Sequence, residues 1–155
     1  MEYKLTPEII TLHRYFIWAD RMRVHFDEVL SNNKNTTTIE TEEFIEKKKG
    51  IDTFLYMSLW YGTFYVLIEG WIELGLSDPE IDTFLKSPNV NLLRRYRNGA
   101  FHFQKDYFDK HFTELMTEGE DFANWSRDLR DHISRWFLDI HRQSKEEQGL
   151  EPSST

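Results

Sequence analysis

The stretch from Leu92 to Tyr107 reads LLRRYRNGAFHFQKDY and concentrates Arg94, Arg95, Arg97, His102 and Lys105 in a chain that is otherwise acidic. An imidazole exchanges a proton near neutral pH. A guanidinium presents a planar pair of donors to phosphate or carboxylate oxygens. On a continuous helix Asn98 and His102 are four residues apart and share a face. Arg97 and His102 are five apart, about 140° around the axis at 100° per residue. One chain therefore makes a compact site from this pair only if the helix bends, and Asn98-Gly99 is the natural place for a bend or a stop. A two-fold axis is the other solution, because two copies bring two Arg97 and two His102 around one cleft.

The run Arg97-Asn98-Gly99-Ala100-Phe101-His102 resembles the Arg-x(4–6)-His motif of the HEPN superfamily, in which a polar residue, often Asn, follows the Arg. HEPN domains are small helical bundles that carry the motif late, ahead of a C-terminal helix. The motif covers six residues here, and the helical layout extends the likeness over most of the chain. The resemblance implies a homodimer with the motif at the dimer cleft, and metal-independent RNA cleavage with no cofactor. In that reaction His102 accepts the proton of a ribose 2′-OH or protonates the leaving 5′-oxygen. Arg97 stabilises the phosphate in the transition state. Asn98 orients the imidazole or binds phosphate, and Arg94, Arg95 and Lys105 contact the substrate. The products are a 2′,3′-cyclic phosphate and a 5′-OH. The expected biological role is that of a toxin or host-defence effector with a cognate antitoxin or regulator protein.

Some HEPN toxins carry a modifiable Tyr two positions after the His. Gln104 stands there in this chain, and Tyr107 is out of register, so that regulation is not carried over. The superfamily also includes members that bind without cutting. The alternative function is therefore a non-catalytic module for a nucleotide, RNA or a protein. A third reading makes Asn98-Gly99 a helix stop and His102 a core residue between Phe101 and Phe103.

Other chemistries lack their residues. There is no Cys, which excludes thiol nucleophiles, disulfides and cysteine-ligated metals. No phosphate-cradling Gly-rich loop or G-x-S-x-G elbow occurs. The residues three before the six His are Ile10, Met22, Gly99, Phe108, Leu129 and Leu138. None is a carboxylate, so the Glu-x-x-His signature of di-metal bundles is missing. Asp128 and His132 share a helix face and read as a surface ion pair. The formal charge of −8 disfavours generic binding to nucleic acid or anionic membrane, so any RNA contact must be a local basic patch.

The elements that must position the motif read as helices. The 155 residues suit one domain, with 39% apolar and 15% aromatic residues to build a core. A first helix opens at Thr6-Pro7 and ends near Ser31, burying Ile9, Leu12, Phe16, Ala19, Phe26 and Leu30. Residues 31–49 read as a flexible loop, with a short helix from Thr41 as the option within it. A second long helix spans about Ile51 to Leu74 with Gly75 as its stop. Its uncharged run from Thr53 to Ile68 is shorter than the about 20 residues of a membrane span, so it reads as a central buried helix in a soluble, cytoplasmic protein. Ser77 and Asp78 compete to cap a short third helix at Pro79, and Ser87-Pro88 precedes a fourth. Phe108, Phe112, Leu115 and Met116 mark a fifth. Phe122, Trp125, Leu129, Ile133, Trp136, Phe137 and Ile140 stripe a long last one. The expected fold is an all-α, HEPN-like bundle over 1–143, with two long early helices, short middle helices, a long C-terminal helix and a disordered tail over 144–155.

Overall fold

Thr6 Oγ1 accepts the Ile9 amide at 3.3 Å and opens α1, Pro7–Ser31, with Pro7 where its missing N–H does no harm. A computed structural model of the chain describes residues 3–31, 42–119 and 121–147. Those residues form six helices and no strand. They are α1, α2 (Glu42–Glu73), α3 (Pro79–Leu85), α4 (Asn89–Phe101), α5 (Lys110–Glu118) and α6 (Phe122–Glu147). No helix among the described residues is long and apolar enough to cross a membrane.

The centre of the bundle is the second half of α2. Trp60, Phe64, Leu67, Ile68 and Trp71 are buried on several faces, because α1 and α4 pack along this helix and α6 closes the core. Burying one such side chain contributes roughly 1.5–3 kcal/mol. The expected core of α6 is buried at Phe122, Trp125, Leu129, Ile133, Phe137 and Ile140. On α1 Ile9, Leu12, Phe16, Ala19 and Phe26 are buried, while Leu30, read from sequence as core, is exposed. Long polar side chains tie α1 to α6. Arg127 Nη1 donates to Asp27 Oδ2 at 3.1 Å, and Arg130 Nε donates to Asp20 Oδ1 at 2.8 Å.

The breaks between helices have local causes. Gly75 ends α2 with φ +61°, and the Leu76 amide donates back to Trp71 O at 3.2 Å, a Schellman stop that favours glycine. Of the two competing caps of α3 the structure uses Asp78, whose Oδ1 accepts the Glu80 and Ile81 amides. Ser87 Oγ accepts the Asn89 amide at the start of α4.

Two expectations need correction. The loop expected over 31–49 does not run to residue 49, because α2 already starts at Glu42, and the short helix that was the option from Thr41 is the first part of this long one. A Lys47–Glu43 ion pair one turn apart and a run of strong helix formers sustain this outlying turn without a core. The rest of that loop, 32–41, lies outside the described residues. The tail expected from Ser144 stays helical through Glu147, and 148–155 lie outside the described residues.

Candidate functional site

Tyr96 places the motif helix. Its side chain is wholly buried, and its hydroxyl lies 3.0 Å from Ser58 Oγ of α2. Burial pushes the Tyr96 phenol up to about 12, so it stays neutral as a structural hydrogen-bonding group. Arg97, the next residue, is half-buried against the same helix. Its Nη2 lies 3.6 Å from Glu69 Oε2, its Cζ stands 5.9 Å from the centre of the Tyr65 ring, and its Nη1 donates to Asn98 Oδ1 at 3.1 Å. Burial, and secondarily the nearby Glu69 carboxylate, raises the Tyr65 phenol above its ordinary value, so the face under the guanidinium stays uncharged.

Gly99 does not stop the helix. α4 runs through it to Phe101, and a Cβ at Gly99 would lie 2.7 Å from His111 Cβ on α5. The glycine serves the close crossing of α4 and α5, and the expected bend at Asn98-Gly99 is absent. The end comes at His102, which takes φ −121° and ψ 136°. Gln104 helps end the helix, donating its Nε2 to His102 O at 2.9 Å and more loosely to Asn98 O at 3.5 Å. Phe101 lies over Gly62 of α2, where an added Cβ would meet its ring at 2.2 Å.

His102 is therefore an exposed residue at the helix end, not a core residue. Its amide donates to Asn98 O at 3.1 Å, and among the described residues its imidazole has no hydrogen bond or ion pair. Arg97 and His102 do not touch. The Asn98 side chain holds Arg97 rather than His102, and the shared face of Asn98 and His102 is lost because His102 has left the helix.

The flanking cations separate into two kinds. Arg94 is exposed and donates to Asn91 Oδ1 at 2.7 Å on its own helix. Lys105 is exposed with no polar partner among the described residues. Arg95 is turned the other way: its Nη2 lies between the two oxygens of Glu114 on α5, 2.6 Å from Oε1 and 2.5 Å from Oε2. That partly buried pair joins α4 to α5 and occupies the charge that sequence alone assigns to substrate.

The structure adds residues the sequence reading did not single out as site residues. Tyr65 and Glu69 carry no motif, and only the packing of α4 on α2 brings them to Arg97. Asp109 caps α5 by accepting the His111 amide at 2.9 Å and makes a short contact with His111 Nδ1. These hydrogen bonds, the backbone one first, hold the Asp109 carboxyl below the usual range. His111 thus has one ring nitrogen oriented by a carboxylate beside the crossing at Gly99. In sequence His111 stands one short segment after the motif, within reach of the same cleft, and nothing in its spacing demanded a role. His132 pairs with Glu80 of α3, Nδ1 to Oε2 2.6 Å, and not with Asp128 as its register suggests. Among the described residues no group of three or more His, Asp or Glu side chains is arranged to hold a metal ion.

No family model, curated protein or solved structure matches this chain.

Proposed function

We propose that the chain is a HEPN-like endoribonuclease that works as a homodimer, without a metal ion, and joins Arg97 of one copy to His102 of the other. The observation that carries this reading is the state of the two side chains. The imidazole of His102 is exposed and, among the described residues, without a polar partner at the end of α4, while the guanidinium of Arg97 is braced on α2. A helix end that merely satisfied its own carbonyls would engage these groups locally.

Two copies related by a two-fold axis supply the chemistry that one copy lacks. One imidazole in its neutral form takes the proton of the ribose 2′-OH as that oxygen attacks phosphorus. The P–O5′ bond breaks, and the leaving 5′-oxygen takes a proton from water, which the imidazolium of the same site then replaces. Arg97 donates two hydrogen bonds to the non-bridging phosphate oxygens, whose negative charge grows in the transition state. Asn98 keeps the guanidinium in place through its Oδ1. Arg94 and Lys105 are the flanking cations free to meet the RNA backbone; Arg95 remains with Glu114.

Purified protein incubated with RNA in EDTA tests the reading. The expected result is cleavage to 2′,3′-cyclic phosphate and 5′-OH ends. Arg97→Ala and His102→Ala should each lose activity by roughly 10²–10⁴-fold while keeping their helical circular dichroism. Cleavage that persists in both variants, or that needs a divalent ion, contradicts it.

The net charge of −8 and the engagement of Arg95 by Glu114 favour one second reading, a HEPN-like module that binds a nucleotide or RNA without turnover. Thermal stabilisation by a nucleotide with no RNA cleavage would select it. The place of the protein as a toxin or defence effector with a cognate antitoxin belongs to the first reading and follows it.

A further inference from the structure

Phe108, Phe112, Leu115 and Met116 sit at helical spacing, yet only Leu115 of the four is buried. α5 starts at Lys110, so Phe108 lies in the segment between the helices and is 74% exposed. Tyr107 beside it is 81% exposed and Phe103 is 93% exposed. Three large aromatic side chains in one six-residue segment thus face solvent directly after His102. Removing that much apolar surface from water is favourable, and a cluster this size on a folded chain marks a binding surface.

The segment is held in place by its own hydrogen bonds. Gln104 ties its start to His102 O, and Asp106 Oδ1 accepts the Phe108 amide at 3.0 Å. Asp109 anchors its end by capping α5. Tyr107 and Phe108 meet edge to face with ring centres 5.0 Å apart. Both also line an apolar groove of about 1020 Å³ floored by Phe54, Leu55 and Phe112.

Charge narrows the occupant. Of the five cations from Arg94 to Lys110, Arg95 is held by Glu114 and Arg97 stands beside Glu69, which leaves Arg94, Lys105 and Lys110 against Asp106 and Asp109 in a chain whose total is −8. Exposed rings interleaved with cations suit a polyanion that carries flat apolar groups. Duplex RNA hides its bases in the stack, whereas a single strand offers them to aromatic side chains. We propose that Phe103, Tyr107 and Phe108 form a stacking platform for unpaired bases of single-stranded RNA next to the scissile phosphate. The inference rests on the ribonuclease reading and adds to it the side chains that hold the strand. Lys105, between the rings, meets the backbone of the bound strand.

The test uses the full chain carrying His102→Ala, so that RNA is not consumed, and short fluorescent single strands read by anisotropy. Phe103→Ala and Tyr107→Ala should each weaken binding about 10-fold or more per lost stack. The slope of affinity against salt should not change, because no phosphate contact is lost. Tyr107→Phe should restore affinity, since the ring is what stacks. Lys105→Ala should lower the salt slope instead. All these side chains are exposed, so the variants should melt with the parent. Unchanged affinity in both aromatic variants, with cleavage by the His102 protein intact, overturns the platform and leaves the nuclease standing. Aromatic-dependent binding without any cleavage overturns the nuclease and leaves the platform. Equal affinity for duplex and single strands, or no RNA binding at all, overturns the platform. So does dissociation of an oligomer by the aromatic variants with RNA affinity retained, because a second copy would then cover this face.

Discussion

Arg97 Nη2 on α4 and Glu69 Oε2 on α2 stand 3.6 Å apart, bringing a carboxylate to the guanidinium that sequence alone assigns to phosphate. A pair this exposed contributes only about 0.2–1 kcal/mol to stability. Its greater effect is on the charge that a phosphate meets. Replacing Glu69 by Gln should leave the melting temperature nearly unchanged and lower the KM for RNA severalfold. Steady-state kinetics with a thermal melt check this; a rise in KM would make Glu69 a positioning residue rather than a competitor.

Gly99 allows α5 to cross α4, and its importance is steric. Gly99→Ala would push a Cβ to 2.7 Å from His111 Cβ, where no flexible side-chain tip can give way. The variant should lose roughly 1–3 kcal/mol, the usual cost of overpacking. Chemical denaturation measures this directly. Stability equal to that of the parent would show that the crossing is looser than described.

Tyr96 and Ser58 fasten the motif helix to α2 through their hydroxyls, 3.0 Å apart. Tyr96→Phe keeps the ring and removes the hydrogen bond. It should cost about 1 kcal/mol. Buried at its normal place, the Tyr96 phenol is pushed up to about 12, so an alkaline absorbance titration of the folded protein should show it ionising late, together with Tyr61, which is also pushed up to about 12 by burial. A phenol count that ionises fully near its ordinary value would mean that α4 lifts from α2.

His13 on α1 and His141 on α6 approach to 3.1 Å between Nδ1 and Nε2, against Phe16 and Phe137. Burial first, and His141 second, hold the His13 imidazole below its ordinary value. The unfolded chain therefore takes up this proton at a higher pH than the folded one. Stability from the neutral His13 is present above the ordinary value of about 6.5 and is lost as pH falls through it toward the lower folded value. The melting temperature should drop across that window, and less steeply in His141→Gln, which removes one of the two causes. Parallel curves for the two proteins would contradict this.

Helix limits with local chemistry were legible in the chain. Thr6-Pro7, Gly75, Asp78-Pro79 and Ser87-Pro88 mark boundaries because a cap or a φ preference acts within a few residues. A helix from about Thr41 was legible as an option, but its continuity with α2 was not, since residues 42–50 carry no apolar stripe and are held by pairs such as Lys47–Glu43. The motif was legible as a pattern, and its surroundings were not. Glu69 and Glu114 meet Arg97 and Arg95 only through packing of α2 and α5 on α4. Gly99 was misread because a glycine needed for a close crossing and one that ends a helix look alike in sequence. The run from Phe108 to Met116 was legible only as helical spacing, which shows where side chains lie on a helix and not whether another element covers them.

The central claim is that the guanidinium and imidazole act from different copies. Arg97→Ala and His102→Ala proteins, each inactive alone, can be unfolded together and refolded as a mixture. About half of the dimers then combine an intact Arg97 with an intact His102 across the axis. The account predicts that ribonuclease activity returns on mixing, to about a quarter of the wild-type level if each such dimer keeps one of two sites. A mixture as inactive as its parents, from proteins shown to exchange subunits, would contradict it.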